Sequence, residues 1–203
     1  MPSLSYSHRF EPALTPDRPP LLLLHGTGGN ENDLIPLGQT LSPGSPLLSP
    51  RGKVLENGMP RFFRRLAEGV FDEEDVRRRA DELAAFVAEA RETYGIAAPI
   101  AVGFSNGANI AAAILLLRPE ALAGAVLLRA MVPLSEMPKA DLTGKRVLML
   151  SGQTDPIVPA ENAARLAASL TASGAAVRHH VLPVGHGLSQ GDVALATRWF
   201  SER

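Results

Sequence analysis

The chain has 203 residues, enough for one substantial core, and it is 45% hydrophobic and 20% charged, the balance of a soluble globular protein. A formal net charge of −1 gives no field to draw it to nucleic acid or an anionic membrane. The absence of cysteine excludes disulfides, thiolate metal sites and a cysteine nucleophile together, and it accords with a reducing compartment.

The N-terminal MPSLSYSHRF lacks the apolar run of a signal peptide, and no later apolar stretch is long enough for a bilayer. A cytoplasmic protein without membrane insertion is therefore expected. Leu4, Tyr6, His8 and Phe10 alternate, which predicts an edge strand with one exposed face. EPALTPDRPP is a proline-rich connector that ends where the continuous run Leu21 to Leu24 begins. Further apolar runs follow in SPLLSP, PIAVGF (99–104), AGAVLL (123–128), KRVLMLS (145–151) and AAVRHHVLP (175–183). Most lack alternation, as strands covered on both faces of a parallel sheet do.

Helical patterns lie between these runs. Val76, Ala80, Leu83, Val87, Ala90 and Tyr94 make one apolar stripe, with Asp72 as the cap, Asp75 at the reciprocal position and Gly95 as the stop. SNGANIAAAILLLRP is apolar nearly all round and reads as a buried helix stopped by Pro119. PAENAARLAASLTASG and SQGDVALATRWFSER complete the set. The alternation predicts a single α/β domain over 1–203, with a mostly parallel central sheet flanked by helices and no large cap domain. Residues 51–71 show no clear periodicity and read as an excursion over the surface.

Two segments match G-x-S-x-G: GFSNG around Ser105 and GLSQG around Ser189. With 18 Gly and 13 Ser in the chain, chance supplies roughly 0.1 matches, so context must choose between them. Ser105 sits directly between an apolar run and a long helical pattern, the strand–turn–helix context of a nucleophile elbow. Ser189 lies where the last helix needs an N-cap. A nucleophilic serine needs a base, and the base needs an orienting carboxylate. Asp155 in LMLSGQTDPIVP and His186 in VLPVGHGLS each follow a later strand, so all three candidates fall at carboxyl ends of strands. His179 and His180 lie inside a strand and point to opposite faces. His8 belongs to the edge strand, and His25 ends a strand in LLLLHGTGGN, where its neighbours matter more than its ring. Asp192 falls in the first turn of the last helix, where structural duty is the better assignment. The amides of Asn106 and Thr27 are the candidate oxyanion donors.

LLLLHGTGGNENDL, GFSNGANIA, GQTDPIVP and VGHGLS resemble the phospholipase/carboxylesterase family of small α/β-hydrolase serine esterases, relatives of acyl-protein thioesterases and dienelactone hydrolases. The likeness runs from about residue 20 to the C-terminus, and MPRFFRRLAEGVFDEEDV and LLRAMVP resemble a bacterial carboxylesterase branch that includes hydroquinone-resistance hydrolases. The resemblance implies nucleophile Ser105, acid Asp155, base His186, oxyanion donors Thr27 and Asn106, no metal and no organic cofactor. It departs from the dienelactone enzymes, whose nucleophile is usually cysteine. Its implied partner is a small-molecule ester, on a monomer or homodimer.

A carboxylic ester hydrolase acting on short to medium acyl groups is the expectation. Thioesterase or lysophospholipase activity is the close variant, and a silent binding module would require a lost triad member. Nucleic-acid binding has little support, because RRR at 77–79 and FFRR at 62–65 are too short. Phe62, Phe63 and Phe71 in the excursion, Met131, Val132 and Leu134 after the following strand, and Leu188 beside His186 either overhang the crevice or pack on the sheet.

Overall fold

The computed structural model describes residues 4–202. The central sheet is built on short apolar runs that bury both of their faces. Strand β1 (His8–Glu11) is followed by β2 (Leu21–Leu24), helix α1 (Ile35–Leu41) and β3 (Leu47–Pro50). Two small hairpins come next, β4 (Val54–Glu56) with β5 (Met59–Arg61) and β6 (Arg65–Ala67) with β7 (Val70–Phe71). The remainder alternates: α2 (Glu73–Tyr94), β8 (Ile100–Phe104), α3 (Asn106–Leu117), a 3-10 turn (Pro119–Ala121), β9 (Gly124–Leu128), β10 (Arg146–Gly152), α4 (Ala160–Ala172), β11 (Ala176–Leu182) and α5 (Gln190–Ser201). Seven strands pair in the order β1-β3-β2-β8-β9-β10-β11. Among the described residues of this sheet, β1 alone runs antiparallel to its neighbour. Among the described residues no helix is long and apolar enough to cross a membrane.

The strands do alternate, but toward two cores rather than toward core and water. Leu22 and Leu24, Ala125 and Leu127, and Val147 and Met149 face the core shared with α2, α3 and α4. Leu21 and Leu23, Val126 and Leu128, and Leu148 and Leu150 face the one closed by α1 and α5. Side chains of successive strand residues point to opposite faces, so a run of leucines can serve both layers at once. The two edge strands are the exceptions: Arg9 of β1 is exposed, and β11 is open to solvent along most of its length. His179 is half-buried, with its Nε2 2.9 Å from the Ser151 hydroxyl, whereas His180 is exposed on the other face.

Helix α2 begins at Asp72, whose side chain accepts from the Asp75 amide, and ends at Gly95 with φ 64°. The reciprocal arm expected of Asp75 is not made. Its buried carboxylate instead accepts from the Arg64 amide at 2.8 Å and pairs with Arg78, tying the second hairpin to the helix. Burial pushes that carboxyl up, but these bonds outweigh it and hold it below the ordinary value. Helix α1 had no signal in the sequence: it spans seven residues and has Pro36 in its first turn.

The excursion at 51–71 departs further from expectation. Between its hairpins the chain dips into the core, and Phe62 and Phe63 are 1% and 0% exposed. Neither overhangs a crevice. The dip is possible because side chains meet the irregular backbone: Asn106 Oδ1 accepts from the Phe62 amide at 2.7 Å. His25 Nε2 accepts from the Gly52 amide at 3.0 Å, and the His25 Nδ1–H donates to the Gly26 carbonyl at 2.7 Å. The His25 ring also lies 4.7 Å from that of Phe62. Contrary to the sequence reading, the ring itself has a role, and only its neutral form can accept from Gly52.

Burial lowers the His25 pKa below its ordinary 6.5. A histidine whose pKa is depressed by folding binds its proton more readily in the unfolded chain. Its contribution to stability is therefore complete above about pH 6.5 and is lost as pH falls below it, by at most about 1.4 kcal/mol per pH unit. His179, also lowered by burial, adds in the same direction. Urea unfolding should give a falling free energy between pH 7 and pH 5, with a shallower slope in His25→Asn. An unchanged slope would mean that the ring can be protonated in the fold.

Candidate active site

Ser105 stands alone between β8 and α3, with φ 52° and ψ −114°. A non-glycine residue seldom occupies that region, and here three contacts hold it. Its amide donates to the Leu128 carbonyl at 2.8 Å. A Cβ on Gly107 would lie 1.9 Å from the Leu24 carbonyl oxygen, and one on Gly103 would lie 2.5 Å from the Gly107 oxygen. Both glycines are therefore fixed by backbone approach. Ser189 is unlike it: its backbone is extended at φ −122° and ψ 168°, and it forms a capping box with Asp192. A Cβ on Gly187 would meet nothing within 4 Å.

His186 lies in the loop between β11 and α5. Its Nε2 is 2.9 Å from Ser105 Oγ, and its Nδ1 is 2.8 Å from Asp155 Oδ2. Asp155 follows β10, and its other oxygen accepts from the amides of Ile157 and Val158 at 2.8 and 3.1 Å. A carboxylate can only accept, so the imidazole proton belongs on Nδ1 and the Nε2 lone pair faces the serine. The Phe104 ring packs 5.4 Å from the imidazole. The structure thus brings together all three residues singled out from sequence, and it commits Asp192 elsewhere.

The glycine-rich turn after β2 borders the same site. Its Gly28 amide donates to Pro60 and its Gly29 amide to Gly26, while among the described residues the Thr27 and Asn106 amides donate to no protein acceptor. Thr27 Oγ1 accepts from the buried Arg61 guanidinium at 2.8 Å. The Asn106 side chain supports Phe62, and its buried Nδ2 has no partner.

These groups open on a cleft of about 340 Å³. Phe71 and Met131 line it, together with Phe104, Ile157, Val158, Arg65 and Glu68. Val132 does not: it is buried, with its amide held by Asn162 Oδ1 at 2.6 Å. Leu134 is likewise in the core. Leu188 is exposed on the loop outside the cleft. Sequence reasoning also passed over Asn109, whose Oδ1 accepts from the Met131 amide at 2.9 Å, and over Arg61 and Arg129. Charged residues in otherwise apolar runs were the available signal for the last two.

The phospholipase/carboxylesterase model matches residues 9–200. MhqD of Bacillus subtilis (strain 168), which carries a hydrolase name, is 47% identical over 184 residues, covering 90% of this chain and 92% of its own. The crystal structure of a Bacillus cereus carboxylesterase is 46% identical, with a TM-score of 0.93 over 96% of this chain and 92% of that one. YahD, solved with malic acid, is 31% identical with a TM-score of 0.91, over 96% and 97% of the two chains. The chain has the α/β-hydrolase fold and belongs to the phospholipase/carboxylesterase family.

Proposed function

We propose that the protein hydrolyses carboxylic esters through an acyl-enzyme, with Ser105 as nucleophile, His186 as base and then acid, and Asp155 as its orienting carboxylate. The observation that carries this reading is the continuous hydrogen-bonded chain from Ser105 through His186 to Asp155. Ser105 Oγ attacks the ester carbonyl while its proton passes to His186 Nε2, and the amides of Thr27 and Asn106 receive the oxyanion. Collapse breaks the bond to the alkoxy group, which leaves with that proton as the alcohol. Water then repeats the sequence on the acyl-enzyme, giving up a proton to His186 and releasing the acid with Ser105 restored. The carboxylesterase names among the relatives support the choice of ester.

Ser105→Ala should lose nearly all turnover, and a fluorophosphonate probe should label Ser105 alone; a label mapped to Ser189 would overturn the assignment. Asp155→Asn should fold normally and lose several orders of magnitude in kcat, because the imidazole would favour the wrong tautomer. A larger loss in Asp192→Asn would mean that the acid is misassigned.

Thr27→Ala should keep most activity if the backbone amide is the donor. Thr27→Pro removes that N–H and should cost on the order of 10²-fold in kcat. Equal, severe losses would instead implicate the hydroxyl that Arg61 holds.

The second hairpin of 51–71 borders the cleft through Arg65, Glu68, Gly69 and Phe71, and among the described residues no cap domain stands over it. Each fully buried methylene contributes about 0.8 kcal/mol, so affinity rises with acyl length only until the apolar wall of Phe71, Met131, Ile157 and Val158 is filled. Short to medium acyl esters should be preferred, with no rise in rate when substrate passes its solubility limit. Activation by emulsified long-chain triglyceride would refute this.

A further inference from the structure

Arg129 follows directly on β9, inside the apolar stretch LLRAMVP, and it is fully buried with a left-handed backbone at φ 58°. A buried arginine carries five N–H donors that all need acceptors. Every one is used here. Nη1 donates to the Leu150 carbonyl at 3.1 Å and to Asp192 Oδ1 at 2.7 Å. Nη2 donates to Asp192 Oδ2 at 2.8 Å and to the Gly187 carbonyl at 2.9 Å, and Nε donates to the Gly185 carbonyl at 3.0 Å. The guanidinium therefore grips the residues immediately before and after His186. Asp192 extends the grip, since its carboxylate also accepts from the Ser189 amide and hydroxyl at 2.8 and 2.7 Å.

We infer that Arg129 is a positioning residue for the base: it fixes the carbonyls of the two residues flanking His186 and so sets where the imidazole sits. This rests on the esterase reading above. The need for such a clamp comes from the loop's own composition. Glycine on either side of His186 leaves its backbone many conformations, and a Cβ at Gly187 would meet no neighbour. The ring must nevertheless stay within hydrogen-bond reach of both Ser105 and Asp155, and a displacement of about 1 Å can cost on the order of 10²-fold in rate. A planar fork meets two carbonyls and a carboxylate at once, which the compact ammonium of lysine cannot do.

Two variants test the inference. Arg129→Lys keeps the charge and removes the fork. The double variant Arg129→Met with Asp192→Leu replaces the buried pair by apolar groups of similar size, an exchange that folds often tolerate. With p-nitrophenyl butyrate as substrate, both should lose roughly 10- to 100-fold in kcat while KM changes by less than about threefold. The rate of fluorophosphonate labelling at Ser105 should fall in parallel. In proton NMR, the downfield signal of the His186 Nδ1–H, identified by its loss in His186→Ala, should broaden or vanish. A folded Arg129→Lys protein with wild-type kcat and an intact signal would overturn the inference, and Arg129→Lys decides alone if the double variant fails to fold. Wild-type turnover that survived Ser105→Ala would sink the esterase reading instead, and the imidazole signal would still decide whether Arg129 holds the ring.

Discussion

The site depends first on how closely the buried helix α3 meets the sheet. At Gly107 the helix backbone lies against the carbonyls of Leu24 and His25, an approach that no side chain at this position would allow. That contact forces the chain to reverse within one residue, and Ser105 takes the positive φ. It also brings the turn after β2 beside the first turn of α3. Because β2 and β8 pair in register, Leu24 opposite Gly103, the loops leaving their carboxyl ends emerge together. Thr27 and Asn106 are neighbours for that reason. One packing constraint thus exposes the serine hydroxyl and sets two backbone amides at the same end of the sheet.

The parts of this arrangement that were legible in the sequence are those with a local signature. A continuous apolar run marks a strand covered on both faces, and Ser105 and Asp155 each follow one of them, while His186 follows the half-exposed edge strand β11. Ser189 could be set aside because its position before α5 already explained its hydroxyl. The order of the strands left no such mark, since a parallel sheet is assembled from partners distant in sequence.

The misread residues share a different cause. Phe62 and Phe63 lie in a segment without periodicity, and their burial depends on an acceptor 44 positions away, at Asn106. Nothing near the pair announces it. Val132 is held in the same manner by Asn162, 30 positions on. Arg129 was visible as a charge in an apolar run and Asp192 as a carboxylate in the first turn of a helix, yet 63 residues separate them. The pair becomes evident only when β9 and α5 are known to meet at the end of β10.

Beyond the ends of the strands, backbone amides and carbonyls have no ladder to join, and buried ones must find other partners. Here side chains supply many of them. Asn106 takes the Phe62 amide, Asn109 that of Met131, Asn162 that of Val132, His25 that of Gly52, and Asp155 those of Ile157 and Val158. Arg129 donates to the carbonyls on either side of His186. A cleft without a cap domain is ordered by these bonds, which come from the sheet and from the helices packed on it. Among the described residues, the side chains of Glu68 and Ile157 line the same cleft without a hydrogen bond to its loops. Their identities can change the shape and charge offered to a substrate while the hydrogen-bonded frame around Ser105 and His186 stays fixed. The frame and the lining overlap at Asn106, Asn109 and Arg129, which border the cleft and also hold its backbone, so a change at any of these three alters both together.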